Sequence, residues 1–331
     1  MRVPQQAIVL AAGEGRRLRP FTAHTPKPLV PFLNRPLLQG TLEELEQAGV
    51  QRVWLNGFHL AEQLLAWAST WQSDTLEVTV VVEEQLLGTG GGLANIAPRL
   101  APEPVLVLAG DVVADFDFEA LTQRHLCSGA EATMALTTAA DPQQFGPVAL
   151  DERDMVCDII GRQNRPGCRS LVNASAHVLE PRFLARLPSA GVSCFVRDGY
   201  LPALGDDAAI AGWVHPGAWA ETGTPEALLS AQRAALNGSL PVSAHRLTAG
   251  GRQLGDQALI HPTATVAQGV ECSGGSTVGA AAHIGHGVII RQCLVASGVC
   301  LPDHTTWENQ IIDSQDTVEQ LLAEQHGAAL G

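Results

Sequence analysis

Ala7-Ile8-Val9-Leu10-Ala11-Ala12 is a short apolar run that ends in Gly13-Glu14-Gly15. It predicts a buried strand entering a glycine loop. Working outward, Leu37, Leu38, Thr41, Leu42 and Leu45 recur at helical spacing, with Gly49 as a stop. Arg52 to Asn56 predicts a strand, Leu60 to Trp71 a helix, and Glu77 to Glu83 a valine-rich strand. Pro104 to Ala109 predicts another strand, with Gly110-Asp111 at its carboxyl end. Phe118 to Leu126 predicts a helix capped by Asp117. This alternation means βαβ units and a mostly parallel sheet covered by helices. Such sheets bind ligands beyond the carboxyl ends of their strands. The loops at 13–17 and 110–115 are therefore expected to face one crevice.

Residues 131–240 are less regular. Strands are expected at Ala132 to Thr138, Val148 to Leu150, Met155 to Ile160 and Ser170 to Leu179, and helices at Pro181 to Leu187 and Glu226 to Leu236. This α+β half completes a first domain over 1–240. Residues 241–256 are polar and glycine-rich and are expected to be a linker. A repeat of six follows, led by Ile260, Val266, Cys272, Val278 and Ile284. The frame slips by one after Ile290 and resumes at Val295, Leu301 and Trp307. That period predicts a β-helix over 257–312. A tail over 313–331 is expected to carry a short amphipathic helix from Thr317 to Gln325.

The chain has 331 residues, which favours two domains. Its 46% hydrophobic content supports large cores, and its net charge of −14 argues against nucleic acid and anionic membranes as partners. No apolar stretch is long enough to predict a membrane span, and the start lacks a signal-peptide run, so a cytoplasmic protein is expected. The seven cysteines, at 127, 157, 168, 194, 272, 293 and 300, form no Cys-x-x-Cys pair. They suit a reduced compartment. The chain holds 19 arginines and one lysine, Lys27. That exception points to a place where a compact charge is needed and a planar fork will not serve.

The densest chemical signal is Gly13-Glu-Gly15-Arg16-Arg17-Leu18-Arg19-Pro20-Phe21-Thr22, followed by Pro26-Lys27-Pro28-Leu29. A glycine loop lets backbone N–H groups approach phosphates, and the clustered cations offset a triphosphate's charge. Leu18 stands where the last glycine of a dinucleotide fingerprint would be, so that reading fails.

With Leu87-Gly88-Thr89-Gly90-Gly91-Gly92, Gly110-Asp111, Phe145-Gly146 and Trp219-Ala-Glu221-Thr-Gly223-Thr-Pro225, the pattern resembles the sugar-1-phosphate nucleotidyltransferases over most of residues 5–235. The resemblance implies an α/β, Rossmann-like mixed sheet followed by a short left-handed hexapeptide β-helix. It implies attack of a sugar 1-phosphate on a nucleoside triphosphate, with Mg²⁺ as cofactor. Mannose-1-phosphate guanylyltransferase-like relatives make GTP and mannose 1-phosphate one candidate pair. By resemblance, Arg17 and Lys27 are catalytic, and Asp111 and Glu221 bind metal. Ala11, Ala12, Gly13, Gly15, Glu84, Gly88 and Gly90 meet the nucleotide. Gly146 and Asn173 meet the sugar phosphate, and Arg162 or Arg165 substitutes for a lysine that relatives carry there.

Relatives carry Asp at position 221, a Glu-Lys-Pro near 162, and often a glycine after Asn173-Ala174. These departures leave open a second reading, a catalytically weak assembly subunit. His283 and His286 read as exposed turn residues rather than an acyltransferase base. A homo-oligomer is expected, because a three-coil solenoid has open ends.

Overall fold

Gln6–Leu10 forms a strand, β1, with Ala7, Ile8 and Val9 fully buried. The computed structural model describes residues 3–139, 141–165, 169–254 and 257–328. Cys168, positions 255–256 of the expected linker and positions 329–331 of the expected tail lie outside the described residues. Contacts divide the chain into two compact units. The first comprises Met1–Glu14, Pro26–Pro28 and Thr41–Trp219; the second comprises Gly15–Thr25, Leu29–Gly40 and Ala220–Gly331.

In the first unit β1 pairs in parallel with β2 (Arg52–Gly57), which pairs in parallel with β3 (Glu77–Val82). On its other side β1 pairs in parallel with β4 (Val105–Ala109). The remaining strands are β5 (Ala132–Thr137), β6 (Pro147–Leu150), β7 (Val156–Ile159), β8 (Arg169–Leu179) and β9 (Ile210–Val214). The order runs β7-β6-β8-β4-β1-β2-β3, and β5 lies between β8 and β9. The sheet is mixed because β8 runs antiparallel to β4, β5 and β6. Its first residues pair with β6 and its last with β4.

The core gathers Phe183, Phe195 and Tyr200 around the sheet. Burying each such ring stabilises by roughly 1.5–3 kcal/mol. His177 sits among them, 4% exposed, with Nδ1 2.9 Å from the Tyr200 hydroxyl. The segment Phe195–Tyr200 is a π-helical turn leading into the helix Leu201–Gly205, neither of which the sequence periodicity predicts.

In the second unit the hexapeptides build a parallel β-helix with three sheet faces. Thr265 pairs with His283 and Glu271 with Ile289, giving coils of 18 residues; His283 then pairs with Cys300 and Ile289 with Thr306, giving 17. The frame slip in the sequence is this shortened coil. Ala282, Ile284, Val288, Ile290, Leu294, Val295 and Trp307 fill the interior. His283 and His286 are exposed, as expected.

The stretch expected to be a linker carries regular structure. Ser243 accepts from the Arg246 N–H to cap a helix, Ala244–Gly250, and Arg252–Leu254 is a strand paired with Ala258–Ile260. Composition misleads here because Gly250 is required by contact: a Cβ on it would lie 2.1 Å from the Leu33 carbonyl oxygen. That oxygen belongs to a hairpin, Pro31–Phe32 with Arg35–Pro36, whose turn residues Leu33 and Asn34 have φ of 56° and 62°. The Asn34 amide donates to the carbonyls of Gly250, Leu259 and Val278 at 3.1, 3.3 and 2.9 Å. Arg246, 2% exposed, stacks over Phe32 at 4.9 Å and donates to the Leu37 carbonyl. The C-terminal helix runs Gln315–Ala328, longer than the stretch expected.

Burial pushes the His177 pKa from 6.5 down to about 3. The unfolded chain therefore binds a proton first. The stability this group contributes is complete above about pH 6.5 and is lost as pH falls toward about 3, by up to ~1.4 kcal/mol per pH unit. Thermal melts between pH 7.5 and 5 should show a shallower fall for His177→Gln, which keeps a partner for Tyr200 and does not titrate. Parallel slopes would assign the acid sensitivity to other groups.

Candidate active site

The carboxyl ends of β1, β2 and β4 open onto a cavity of about 310 Å³ in the first unit. Leu10 to Gly13 form one wall, and Leu86, Gly88 and Thr89 another. Asn56, at the end of β2, also lines it, as do Lys27, Pro28 and Ala109 to Asp111. The Gly110 N–H donates to the Leu10 carbonyl at 2.9 Å, which sets the end of β4 beside the glycine loop. A Cβ on Gly13 would meet no protein atom within 4 Å.

Lys27 opens a 3-10 turn, Lys27–Leu29, and its ammonium forms an ion pair with the Asp111 carboxylate. Their side chains are 15% and 23% exposed, so solvent screens this pair less than a surface one. Ala11, Ala12, Gly13, Lys27, Gly88 and Asp111 thus share one cavity. Gly90 is buried beside it, in the same helix as Gly88.

Glu84 does not line the cavity; it is exposed. The carboxylate turned inward is Glu83, 4% exposed. Burial alternates from Val81 inward to Val82 outward, and the next two residues continue that phase. The glycine run is the first part of a helix, Gly88–Ile96. Glycine disfavours helix by about 1 kcal/mol per residue, yet a Cβ on Gly88, Gly90 or Gly91 would come within 2.6–2.7 Å of Gly191–Ser193 atoms. Close packing therefore demands these glycines. Asn56 and Glu83 escaped the sequence reading; the apolar run Val80 to Val82 leaves the in–out phase at the end of β3 open to sequence alone.

Gly15 and Arg17 belong to the second unit. Gly15 has φ +62°, and its carbonyl accepts from both the Leu18 N–H at 2.8 Å and the Thr22 hydroxyl at 2.7 Å. A Cβ there would lie 2.8 Å from Thr22 Cγ2. Those bonds explain the Gly-x-x-Leu and Thr22 spacing as a folded turn. Arg17 donates to Glu221 at 3.3 Å, with side chains 62% and 32% exposed.

The expected sugar-phosphate residues do not line this cavity. Arg162 is exposed, and Arg165 pairs with Asp207 at 2.8 Å. Gly146, φ +82°, ends the short helix Pro142–Phe145, where a Cβ would lie 3.0 Å from Ile160. Asn173 Oδ1 accepts from the Ser175 N–H at 2.8 Å, within a register break of β8 against β5. Ser175 has φ +65°, so the position where relatives often carry glycine keeps the left-handed backbone.

Among the described residues, no group of three or more His, Cys, Asp or Glu side chains could hold a metal ion. The Asp111 carboxylate at the cavity gives a divalent ion one oxygen ligand, the kind of donor such ions combine with substrate oxygens and water.

Residues 6–238 match the family model described as Nucleotidyl transferase. The chain belongs to this family. Mannose-1-phosphate guanylyltransferase of Mycobacterium tuberculosis is 33% identical over 294 residues, 88% of this chain and 80% of that one. Probable mannose-1-phosphate guanylyltransferase 3 of Oryza sativa subsp. japonica is 29% identical over 331 residues, 98% of this chain and 91% of that one. The crystal structure of HddC from Yersinia pseudotuberculosis complexed with GMP-PN superposes with a TM-score of 0.58 at 22% identity, covering 68% of this chain and 97% of that one. That likeness concerns the fold. Nucleotidyl transfer is the activity of this family, and its members commonly use a divalent metal. No described helix is long and apolar enough to cross a membrane.

Left-handed backbone costs a β-branched residue more than serine. Ser175→Val should lower stability by about 1–2 kcal/mol, whereas Ser175→Gly should leave it nearly unchanged; denaturant unfolding distinguishes the two.

Proposed function

We propose that this chain transfers a guanylyl group from GTP to mannose 1-phosphate, making GDP-mannose and pyrophosphate. The observation that carries this reading is the convergence of open Gly13, Lys27 and Asp111 on one cavity at the carboxyl edge of the sheet. The names of the relatives supply the choice of base and sugar.

In this reading a phosphate oxygen of mannose 1-phosphate bonds to the α-phosphorus of GTP as the α–β bridging bond breaks. The electron pair leaves with pyrophosphate. No covalent enzyme intermediate is needed, so orientation and charge neutralisation supply the catalysis. The Ala11–Gly13 backbone approaches the nucleotide. Lys27 offsets charge that grows at the reacting phosphates. Asp111 would hold Mg²⁺, which when bound lowers the repulsion between phosphate groups.

Lys27→Ala should reduce kcat on the order of 10²-fold, as loss of one electrostatic stabiliser does. Lys27→Arg should also fail substantially, because the fork misplaces the charge. Asp111→Asn should lower activity and raise the Mg²⁺ concentration required. Pyrophosphate release, assayed across nucleotide and sugar-phosphate pairs, checks all three. Near wild-type turnover in Lys27→Arg, or an unchanged Mg²⁺ requirement in Asp111→Asn, would remove these roles.

A reduced cytoplasmic setting and a homo-oligomer belong to the same proposal. All six described cysteines are free thiols. Light scattering should give a mass that is a multiple of the 34.9 kDa chain.

A further inference from the structure

Asn56 and Glu83 are 3% and 4% exposed and have no part in the proposed chemistry. Their hydrogen bonds run in one line. The Ala11 N–H donates to Asn56 Oδ1 at 2.6 Å. Asn56 Nδ2 donates to Glu83 Oε1 at 2.8 Å, and Glu83 Oε2 accepts from the Leu87 N–H at 2.9 Å. Ala11 belongs to one wall of the cavity, and Leu87 leads into the helix that forms the other.

We infer that Asn56 and Glu83 are positioning residues that set the separation of the two walls of the nucleotide pocket. The inference rests on the reading of the cavity as that pocket. The helix is fixed on its other side as well. Gly90 N–H donates to the Ser193 carbonyl at 2.9 Å, Ser193 N–H to the Leu87 carbonyl at 2.9 Å, and Phe195 N–H to Thr89 Oγ1 at 3.0 Å. A Cβ on Gly92 would lie 2.6 Å from Asn56 Nδ2 and 3.0 Å from Glu83 Oε1, so the relay passes directly beneath the helix. The carboxylate also sits at the helix N-terminus, where the dipole favours a negative charge. Asn56 is suited to the middle of the line because one amide both accepts and donates. A change there moves a wall that meets the nucleotide without touching the sugar phosphate.

The polarity of the line supplies the test. Asn56→Asp sets two carboxylates against each other, and Glu83→Gln cannot accept from both Asn56 and Leu87. Each single variant should weaken GTP binding about tenfold, the effect expected of one hydrogen bond to a charged group. In Asn56→Asp/Glu83→Gln the new carboxylate accepts from Ala11 and from the new amide, whose oxygen accepts from Leu87. Every bond is restored with one donor reversed, and GTP affinity should return to within about threefold of wild type. Calorimetric GTP binding, KM for GTP and for mannose 1-phosphate, and Tm should be measured for the four proteins.

The expected pattern is a rise and recovery in the GTP values with the KM for mannose 1-phosphate unmoved. Equal rises in both KM values, no recovery in the double variant, or a fall in Tm without a change in GTP affinity overturns the inference. Ala12→Phe, which fills the cavity wall, is the control. Unchanged GTP binding in Ala12→Phe means the cavity is not the nucleotide pocket, and both readings fall. Lost binding in Ala12→Phe with wild-type affinity in both single variants overturns the relay and leaves the pocket standing.

Discussion

The ion pair between Lys27 and Asp111 is the interaction around which the cavity is arranged. A chain of net charge −14 repels anions at long range, so a phosphate ligand depends on local cations. The one lysine of the chain stands at the cavity between Pro26 and Pro28, on a stretch with few backbone options. Before a ligand arrives, the lysine and the aspartate are paired in a partly desolvated place. In the proposed reaction a phosphate competes with the carboxylate for the ammonium, and a divalent ion competes with the ammonium for the carboxylate. Each exchange offsets the charge the other exposes.

What the sequence made legible followed from strong periodicity. A buried strand, a glycine break and alternating helices foretold the sheet, and the six-residue repeat foretold the β-helix, down to the shortened coil after Ile290. Lys27 and Asp111 were legible because each sits beside backbone markers, two prolines and a strand-ending glycine. Glu83 was hidden because Val80, Val81 and Val82 are all apolar. A run without alternation conceals which residue faces in, and only pairing and packing set the phase. The helix Ala244–Gly250 was hidden for a different reason. Its glycines read as flexibility, whereas the backbone of Leu33 leaves no room for a side chain at Gly250.

The second unit shows the same dependence on distant contacts. Asn34 is an unremarkable turn residue in sequence, yet its amide donates to three carbonyls more than 200 positions away. Buried carbonyls of that kind cost about 1–3 kcal/mol each when left without a donor. The hairpin thus completes the first coil of the β-helix as well as turning the chain. Ser175 makes the complementary point inside the sheet. A left-handed backbone persists there without glycine because Asn173 bonds back to it and the register of β8 breaks around it.

The glycines of the site divide into two kinds by what a side chain would strike. At Gly88, Gly90, Gly91 and Gly92 a Cβ would meet protein atoms within 3.0 Å, so these residues are demanded by the fold itself. They bring the helix close enough to Ser193 on one side and to Asn56 and Glu83 on the other for its first turn to be fixed. At Gly13 a Cβ would meet nothing, although the residue lines the cavity. No internal contact asks for glycine at that position. Its small size leaves room at the end of β1 for a ligand to approach the backbone, and the neighbouring N–H groups then become donors that a side chain would have screened. A glycine-rich sequence therefore holds two separate statements. One concerns how tightly a wall is built, and the other concerns where the bound molecule comes closest.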